Sequence, residues 1–295
     1  MHMTKKELVA DGILLLTALI WGSAFAVVKN TLDSFPPAAI IAMRYMIATL
    51  LTAVAFRRRL AGITRGDVAR GALVGFLLCA AYIVQTIGLQ YTTAGKNAFL
   101  TAVYVMLVPF FGVALFRQRL GRANFIAAGL MLLGIGVLSL DGESGGLNIG
   151  DLLTLVCAVL FAAHIVAVER GQKKTNTYAL IVLQFAFCAA YALVYALLFE
   201  RGRPLAFNAG SVGGLMYLAV FSTTIAMSLQ NIGQSMAPAS HASLLLSLES
   251  VFGVLFSVMI YHDPITAQLI LGFVLIFVAV ICSETKMSFL KKKTK

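Results

Sequence analysis

The sequence predicts an all-α integral membrane protein, with ten transmembrane helices arranged as two inverted five-helix repeats. Three observations predict it. The composition is too apolar for a water-facing surface, the apolar runs are long enough to cross a bilayer, and the chain repeats itself with an odd number of runs per copy. Of the 295 residues, 60% are apolar and 12% charged, and the mean hydropathy is +0.91. A soluble domain carries roughly 45–50% apolar and about 25% charged residues, so a soluble enzyme is excluded. The Gly and Pro usage and the four Cys exclude a collagen, a disordered chain and a disulfide scaffold. A net charge of +11 raises nucleic acid as a partner, but a basic footprint needs its charges clustered on a solvated domain, and the sequence has none. No nucleic acid is expected; the lipid bilayer is.

Crossing the roughly 30 Å hydrocarbon core takes about 20 apolar residues in a helix, because lipid gives backbone polar groups no partner. The runs lack the alternation of barrel strands, so each is read as a helix. Residues 12–28, 37–56 (interrupted by Arg44), 71–95, 97–116 and 123–140 give five spans. Residues 152–168 and 175–199 give two more. Residues 204–248 are uncharged over 45 positions, far too long for one crossing, and fold back at Gln234–Ser240 around Pro238. The remainder joins residues 250–262 through Glu249, and residues 264–283 complete the set. With the N-terminus inside, eighteen of the 23 Lys and Arg fall on the cytoplasmic side, four outside, and Arg44 within a span. Both termini are therefore expected in the cytoplasm, with the basic tail at 286–295 against anionic lipid. Cys79, Cys157, Cys188 and Cys282 fall inside spans without CxxC spacing and read as packing residues.

Two registers align the chain with itself. A shift of 140 brings Ala18–Trp21 onto Ala158–Phe161 and Ile41–Tyr45 onto Ile181–Phe185; a shift of 145 brings Gln85–Gly88 onto Gln230–Gly233 and Ala94–Asn97 onto Ala239–Ala242. The first repeat is residues 10–140 and the second 149–285, joined by the acidic, Gly-rich loop at 141–150. Five is odd, so the second copy enters the membrane from the opposite face. Inverted repeats of this kind are the plan of secondary transporters, whose halves rock about a midplane site.

Trp21-Gly-Ser-Ala-Phe25, Met43-Arg-Tyr45, the stretch Tyr91–Tyr104, Gly150-Asp-Leu-Leu153 and Leu246-Ser-Leu-Glu249 resemble the EamA family of the drug/metabolite transporter superfamily. The resemblance covers roughly residues 10–285. It implies a ten-helix plasma-membrane carrier, usually an exporter of small metabolites. Two positions depart from the family pattern: Ser250 follows Glu249 where Pro is frequent, and Phe161 stands where the second repeat often has Trp.

An ionisable group deep in a span costs about 2.5–3.5 kcal/mol and marks a candidate for function. Glu249 lies near the middle of the ninth span and is a candidate for proton coupling or for countering a cation; fixing helix register is the competing role. Arg44 is expected to snorkel outward or pair with Asp33 or a carbonyl in preference to binding an anion, since its counterpart Gln184 is neutral. Lys96 is expected to snorkel to headgroups. His164 reads as a hydrogen-bonded packing residue that still titrates in the physiological range. Uncharged polar stripes complete the set: Asn97, Thr101 and Tyr104 on the fourth helix, Tyr82, Thr86 and Gln90 on the third, and Thr223 or Thr224, Met227, Asn231 and Gln234 on the eighth. Facing lipid, such groups would be left unpaired, so they face other helices or a wet cavity. The expected substrate-binding residues are Trp21, Tyr82, Gln85, Asn97, Thr101, Tyr104, His164, Gln230, Asn231 and Glu249. Aromatic walls with a few amides and hydroxyls suit a small amphipathic solute, an amino acid or related compound, better than a bare ion. By contrast, Gly71-xxx-Gly75, Gly210-xxx-Gly214 and Ser240, Ser243, Ser247 and Ser250 read as close-packing faces.

No cofactor or metal is expected, because ligand spacing, phosphate loops and nucleophile-base motifs are all missing from the sequence. The expectation is a secondary transporter working by alternating access, competent as a monomer, with a homodimer also admitted. An integral-membrane enzyme or lipid flippase using the same cavity is the alternative, and a gated channel a third class.

Overall fold

A computed structural model describes residues 5–116, 122–139, 148–262 and 266–284. Arg117, Arg119, most of the loop joining the repeats and the tail at 286–295 lie outside the described residues. Among the described residues thirteen α-helices follow one another: α1 (Lys5–Thr31), α2 (Pro37–Phe56), α3 (Arg65–Leu89), α4 (Ala94–Thr101), α5 (Tyr104–Phe116), α6 (Arg122–Ser139), α7 (Ile149–Gln172), α8 (Thr177–Phe199), α9 (Ala209–Tyr217), α10 (Ser228–Gln234), α11 (Ala239–Leu246), α12 (Glu249–Tyr261) and α13 (Ala267–Glu284). A π-helical segment, Leu218–Met227, joins α9 to α10 without a break.

Among the described residues, eight helical stretches are long and apolar enough to cross a membrane. The fifth and tenth expected spans coincide with α6 and α13, whose apolar stretches, Phe125–Gly134 and Ile270–Ala279, are shorter. Two expected spans are each split in the middle. The fourth breaks between Thr101 and Tyr104, the ninth between Leu246 and Glu249, so the ninth bends just before Glu249 without any proline after it.

Local sequence sets the starts. Thr64 with Asp67, and Asn148 with Asp151, form reciprocal capping boxes on α3 and α7, while Pro37 occupies the first turn of α2, where a missing N–H costs nothing. The α2 amides are capped from a distance: Glu200, just beyond α8, accepts from Ala38 N at 3.0 Å and Ala39 N at 3.2 Å. At the other end of the same pair, the Phe56 and Tyr178 rings lie 4.9 Å apart. Hence α2 and α8 are antiparallel.

Helix bounds repeat along the chain. A shift of 140 carries the start of α2 onto that of α8, and a shift of 145 carries α4, α5 and α6 onto α11, α12 and α13 at both ends. Contacts repeat too: α2 packs on its counterpart α8, α6 on α13, and α4 and α5 lean on α7 as α11 and α12 lean on α1. The outer faces are apolar and open, as at Leu50, Val54, Leu73, Phe76, Leu197 and Leu198, whereas Thr17, Arg44, Gln85, Asn97, Asp151, Gln184 and Asn231 are buried. Gly71 and Gly75 do lie in close contact with α8, against Leu183 and the Gln184 carbonyl. Of the other glycine pair, only Gly214 touches a neighbouring helix, through Thr31. Ser247 and Ser250 are buried and turn their hydroxyls onto carbonyls of their own chain, Leu244 and Ser247.

Candidate functional site

The two helix breaks face one partly open cavity whose empty space, open solvent included, is about 620 Å³. Its floor and walls come from α1 (Trp21, Ala24, Phe25, Val28), α2 (Arg44), α3 (Tyr82, Gln85, Thr86, Leu89), α4 and α5 (Asn97, Thr101, Tyr104), α7 (Phe161, His164, Ile165), the π segment and α10 (Ser222, Met227, Gln230), and α12 (Glu249). Nine of the ten expected binding residues therefore share one chamber. Asn231 sits a layer behind it, fully buried: its Nδ2 donates to the Met227 carbonyl at 2.8 Å and its Oδ1 accepts from Gln184 Nε2 at 2.9 Å. Gln184 Oε1 in turn meets His164 Nε2 at 3.0 Å, so Asn231 reaches the chamber only through this chain of hydrogen bonds.

The lining follows the repeat. Trp21 and Phe161, Ala24 and His164, and Phe25 and Ile165 are counterparts at a shift of 140; Tyr82 and Met227, Gln85 and Gln230, and Tyr104 and Glu249 are counterparts at 145. Six pairs of equivalent positions around one space place it between the two copies. Tyr82 and Met227 meet there directly, hydroxyl to sulfur, at 3.8 Å.

Several polar groups of the wall are occupied. Gln85 Nε2 donates to Thr101 Oγ1 at 3.0 Å, Thr101 Oγ1 to the Asn97 carbonyl at 2.7 Å, and Asn97 Nδ2 to Thr154 Oγ1 at 2.7 Å. Others are not: Asn97 Oδ1 and Gln230 Oε1 are buried without a hydrogen-bond partner, while the Tyr104 hydroxyl faces the Glu249 carboxyl. Buried polar atoms left so cost about 1–3 kcal/mol each, which a bound solute or water offsets. Aromatic rings connect the two ends: the guanidinium of Arg44 lies 4.9 Å from the Tyr82 ring centre, Tyr82 meets Phe161 edge to face at 5.1 Å, and Phe161 meets Tyr104 at 6.4 Å.

Two expectations are corrected. Arg44 does not snorkel outward or pair with Asp33: it is 1% exposed and turns into the wall, where Nε donates to Thr223 Oγ1 at 2.7 Å and Nη2 to Ser222 Oγ at 3.2 Å. Both hydroxyls belong to the π segment, where the Ser222 carbonyl also accepts from Trp21 Nε1 at 3.0 Å. Lys96 does not reach headgroups either. Its ammonium pairs with Asp151 at 3.1 Å, the two side chains 8% and 0% exposed, and Asp151 also accepts from Thr92 at 2.7 Å. The equivalent positions, His241 and Asp11, meet at 2.7 Å with His241 far more open. A signal for these pairs lay in the registers: Asp11 falls on Asp151 at 140 and Lys96 on His241 at 145.

A model of the EamA-like transporter family matches residues 8–140 and again residues 148–285. The chain belongs to the EamA-like transporter family. A protein of Archaeoglobus fulgidus named an uncharacterized transporter is 36% identical to this family member over 280 residues, 94% of this chain and 86% of its own. YvbV of Bacillus subtilis, also named an uncharacterized transporter, is 24% identical over 281 residues, 93% and 91% of the two chains. A solved crystal structure superposes on the EamA-like fold with a TM-score of 0.72, covering 96% of this chain and 98% of the other; at 20% identity it shows the fold alone. Family and relatives support a transporter role in a multi-pass membrane protein.

Proposed function

We propose that the chain is a ten-span secondary transporter of the plasma membrane, with both termini cytoplasmic. It moves a small amphipathic metabolite, an amino acid or related compound, outward by alternating access. One observation carries the reading: the chamber is lined by equivalent residues of both copies and lies where both broken helices bend. A site on the axis between two halves is the site that rocking one half against the other exposes to each face in turn. The pairs Lys96–Asp151 and His241–Asp11 support it, since each ties the fourth span of one copy to the first span of the other. One pair closes a mouth while the other loosens.

Glu249 is the proposed coupling group and, among the described residues, the single carboxyl of the chamber lining. If proton and substrate compete for it, exchange follows. Trp21, Tyr82, Gln85, Asn97, Thr101, Tyr104, His164 and Gln230 form the proposed contact surface, with Asn231 holding Gln184 and His164 in place. In proteoliposomes, a panel of amino acids should give saturable counterflow, and Glu249→Gln should keep counterflow while removing the dependence of net flux on a pH gradient. Coupling unchanged in the variant would refute the role of Glu249. Conductance in planar bilayers far above carrier turnover would refute the carrier itself.

A further inference from the structure

Arg44 is a buried cation whose partners are all neutral. Its guanidinium bonds the hydroxyls of Thr223 and Ser222 and lies over the rings of Tyr82 and Tyr45, at 4.9 and 5.6 Å from their centres. Among the described residues no carboxylate comes within 4 Å of it, in contrast to Lys96, which has Asp151. Hydroxyls and ring faces orient a guanidinium without cancelling its charge, and a buried cation left in that state is costly. Its planar fork is matched to a carboxylate, and the side chain lines the chamber.

The far end of the aromatic strip that runs from Arg44 through Tyr82 and Phe161 to Tyr104 has the reverse character. Asn97 Oδ1 and Gln230 Oε1 are unpartnered acceptors at residues 0% and 1% exposed, and Tyr104 and Glu249 stand with them. Acceptors and a carboxyl at one end call for a donor, such as an ammonium. Between the ends runs the aromatic strip of Tyr82, Phe161 and Tyr104.

We propose that Arg44 is the anion-binding pole of the chamber and receives the carboxylate of a substrate whose amino group points toward Asn97, Gln230 and Glu249. This deepens the transport reading and rests on the same chamber. The asymmetry of the repeat fits it: the counterpart of Arg44 is Gln184, which is spent on His164 and Asn231, and the counterpart of the π segment is the regular helix α3. Only one copy is built to hold a cation here.

Trp21 supplies the readout. It is the only tryptophan of the chain, it lines the chamber, and its indole donates to the carbonyl of Ser222, whose hydroxyl accepts from Arg44. Titrations of Trp21 emission in the purified full chain should use phenylalanine, phenylalaninamide and 3-phenylpropanoate, which share an aromatic body and differ in their ends. Both carboxylates should bind saturably and phenylalaninamide at least about tenfold more weakly. Arg44→Gln should weaken the carboxylates by about tenfold or more and leave the amide unchanged, and Arg44→Lys should retain part of the preference. The comparison of carboxylate with amide on the native chain stands even if Arg44→Gln misfolds. Equal binding of acid and amide, carboxylate binding untouched by Arg44→Gln, or no saturable carboxylate binding would each overturn the proposal. Carboxylate-selective binding without counterflow would leave Arg44 in its role and defeat the carrier. Counterflow undiminished in Arg44→Gln would do the reverse.

Discussion

Lys96 and Asp151 form a buried ion pair at 3.1 Å, in which Asp151 also accepts from Thr92 and from the backbone of Asn148. Removing one partner of such a pair leaves the other charge in a low dielectric, at a cost of about 3–5 kcal/mol. Lys96→Met should therefore lower the melting temperature in detergent strongly, whereas Lys96→Met with Asp151→Asn should recover most of the loss. A double variant as unstable as the single one would mean that helix packing, and not the charge, holds this end. At this scale the sequence was informative about which residues are buried and less so about where they point. Trp21, Tyr82, Gln85, Asn97, Thr101, Tyr104, His164, Gln230 and Glu249 meet in the chamber because polar groups in a span are left unpaired against lipid. Lys96 lies in the first turn of α4 and Arg44 two turns into α2, within reach of either water or a neighbour for a long side chain. Only the tertiary partner decides, Thr223 and Ser222 for one and Asp151 for the other.

Helices α1 and α12 cross at a pair of glycines. A Cβ on Gly22 would lie 2.3 Å from Phe252 Cβ and 2.9 Å from the Gly253 nitrogen, and a Cβ on Gly253 would lie 2.5 Å from Ala98 Cβ on α4. Backbone stands on the far side of the first contact, so the neighbour cannot turn away. Gly22→Ala should destabilise by about 1–3 kcal/mol, read as a lower melting temperature and a displaced Trp21 emission from the adjacent residue. Gly213→Ala is the control: nothing lies within 4 Å of its Cβ, and the change should be neutral or stabilising by up to about 1 kcal/mol. Equal changes in the two variants would mean that the helix crossing does not depend on the missing Cβ at Gly22. Spacing alone marked Gly71 and Gly75 correctly but could not rank Gly22 and Gly253, because a single glycine shows no face until its partner is known. The π segment was likewise illegible, since ten residues of Leu, Ala, Val, Phe, Ser, Thr, Ile and Met carry no compositional mark of a wider turn. The paired breaks at 101–104 and 246–249 left a trace only in the register of 145, which carries one onto the other.

For the molecule as a whole, the decisive relation is the direction of equivalent helices. The carboxylate of Glu200 caps the first turn of α2 and Phe56 packs on Tyr178 near the start of α8, so a helix and its counterpart lie side by side in opposite senses. A two-fold axis across the helices produces that arrangement, and two copies joined head to tail without inversion do not. If the axis lies in the bilayer plane, equivalent loops must open on opposite sides of the membrane. Ala61 and Arg201 test it: they are counterparts at a shift of 140, both are exposed, and one follows α2 while the other follows α8. The native cysteines are buried in helices and compete little for a bulky reagent. In sealed vesicles of known orientation, Ala61→Cys should react with an impermeant maleimide only from the cytoplasmic side and Arg201→Cys only from the opposite side. Reaction of both from one side would remove the inversion, and without inversion the chamber between the copies has no reason to open alternately to the two faces.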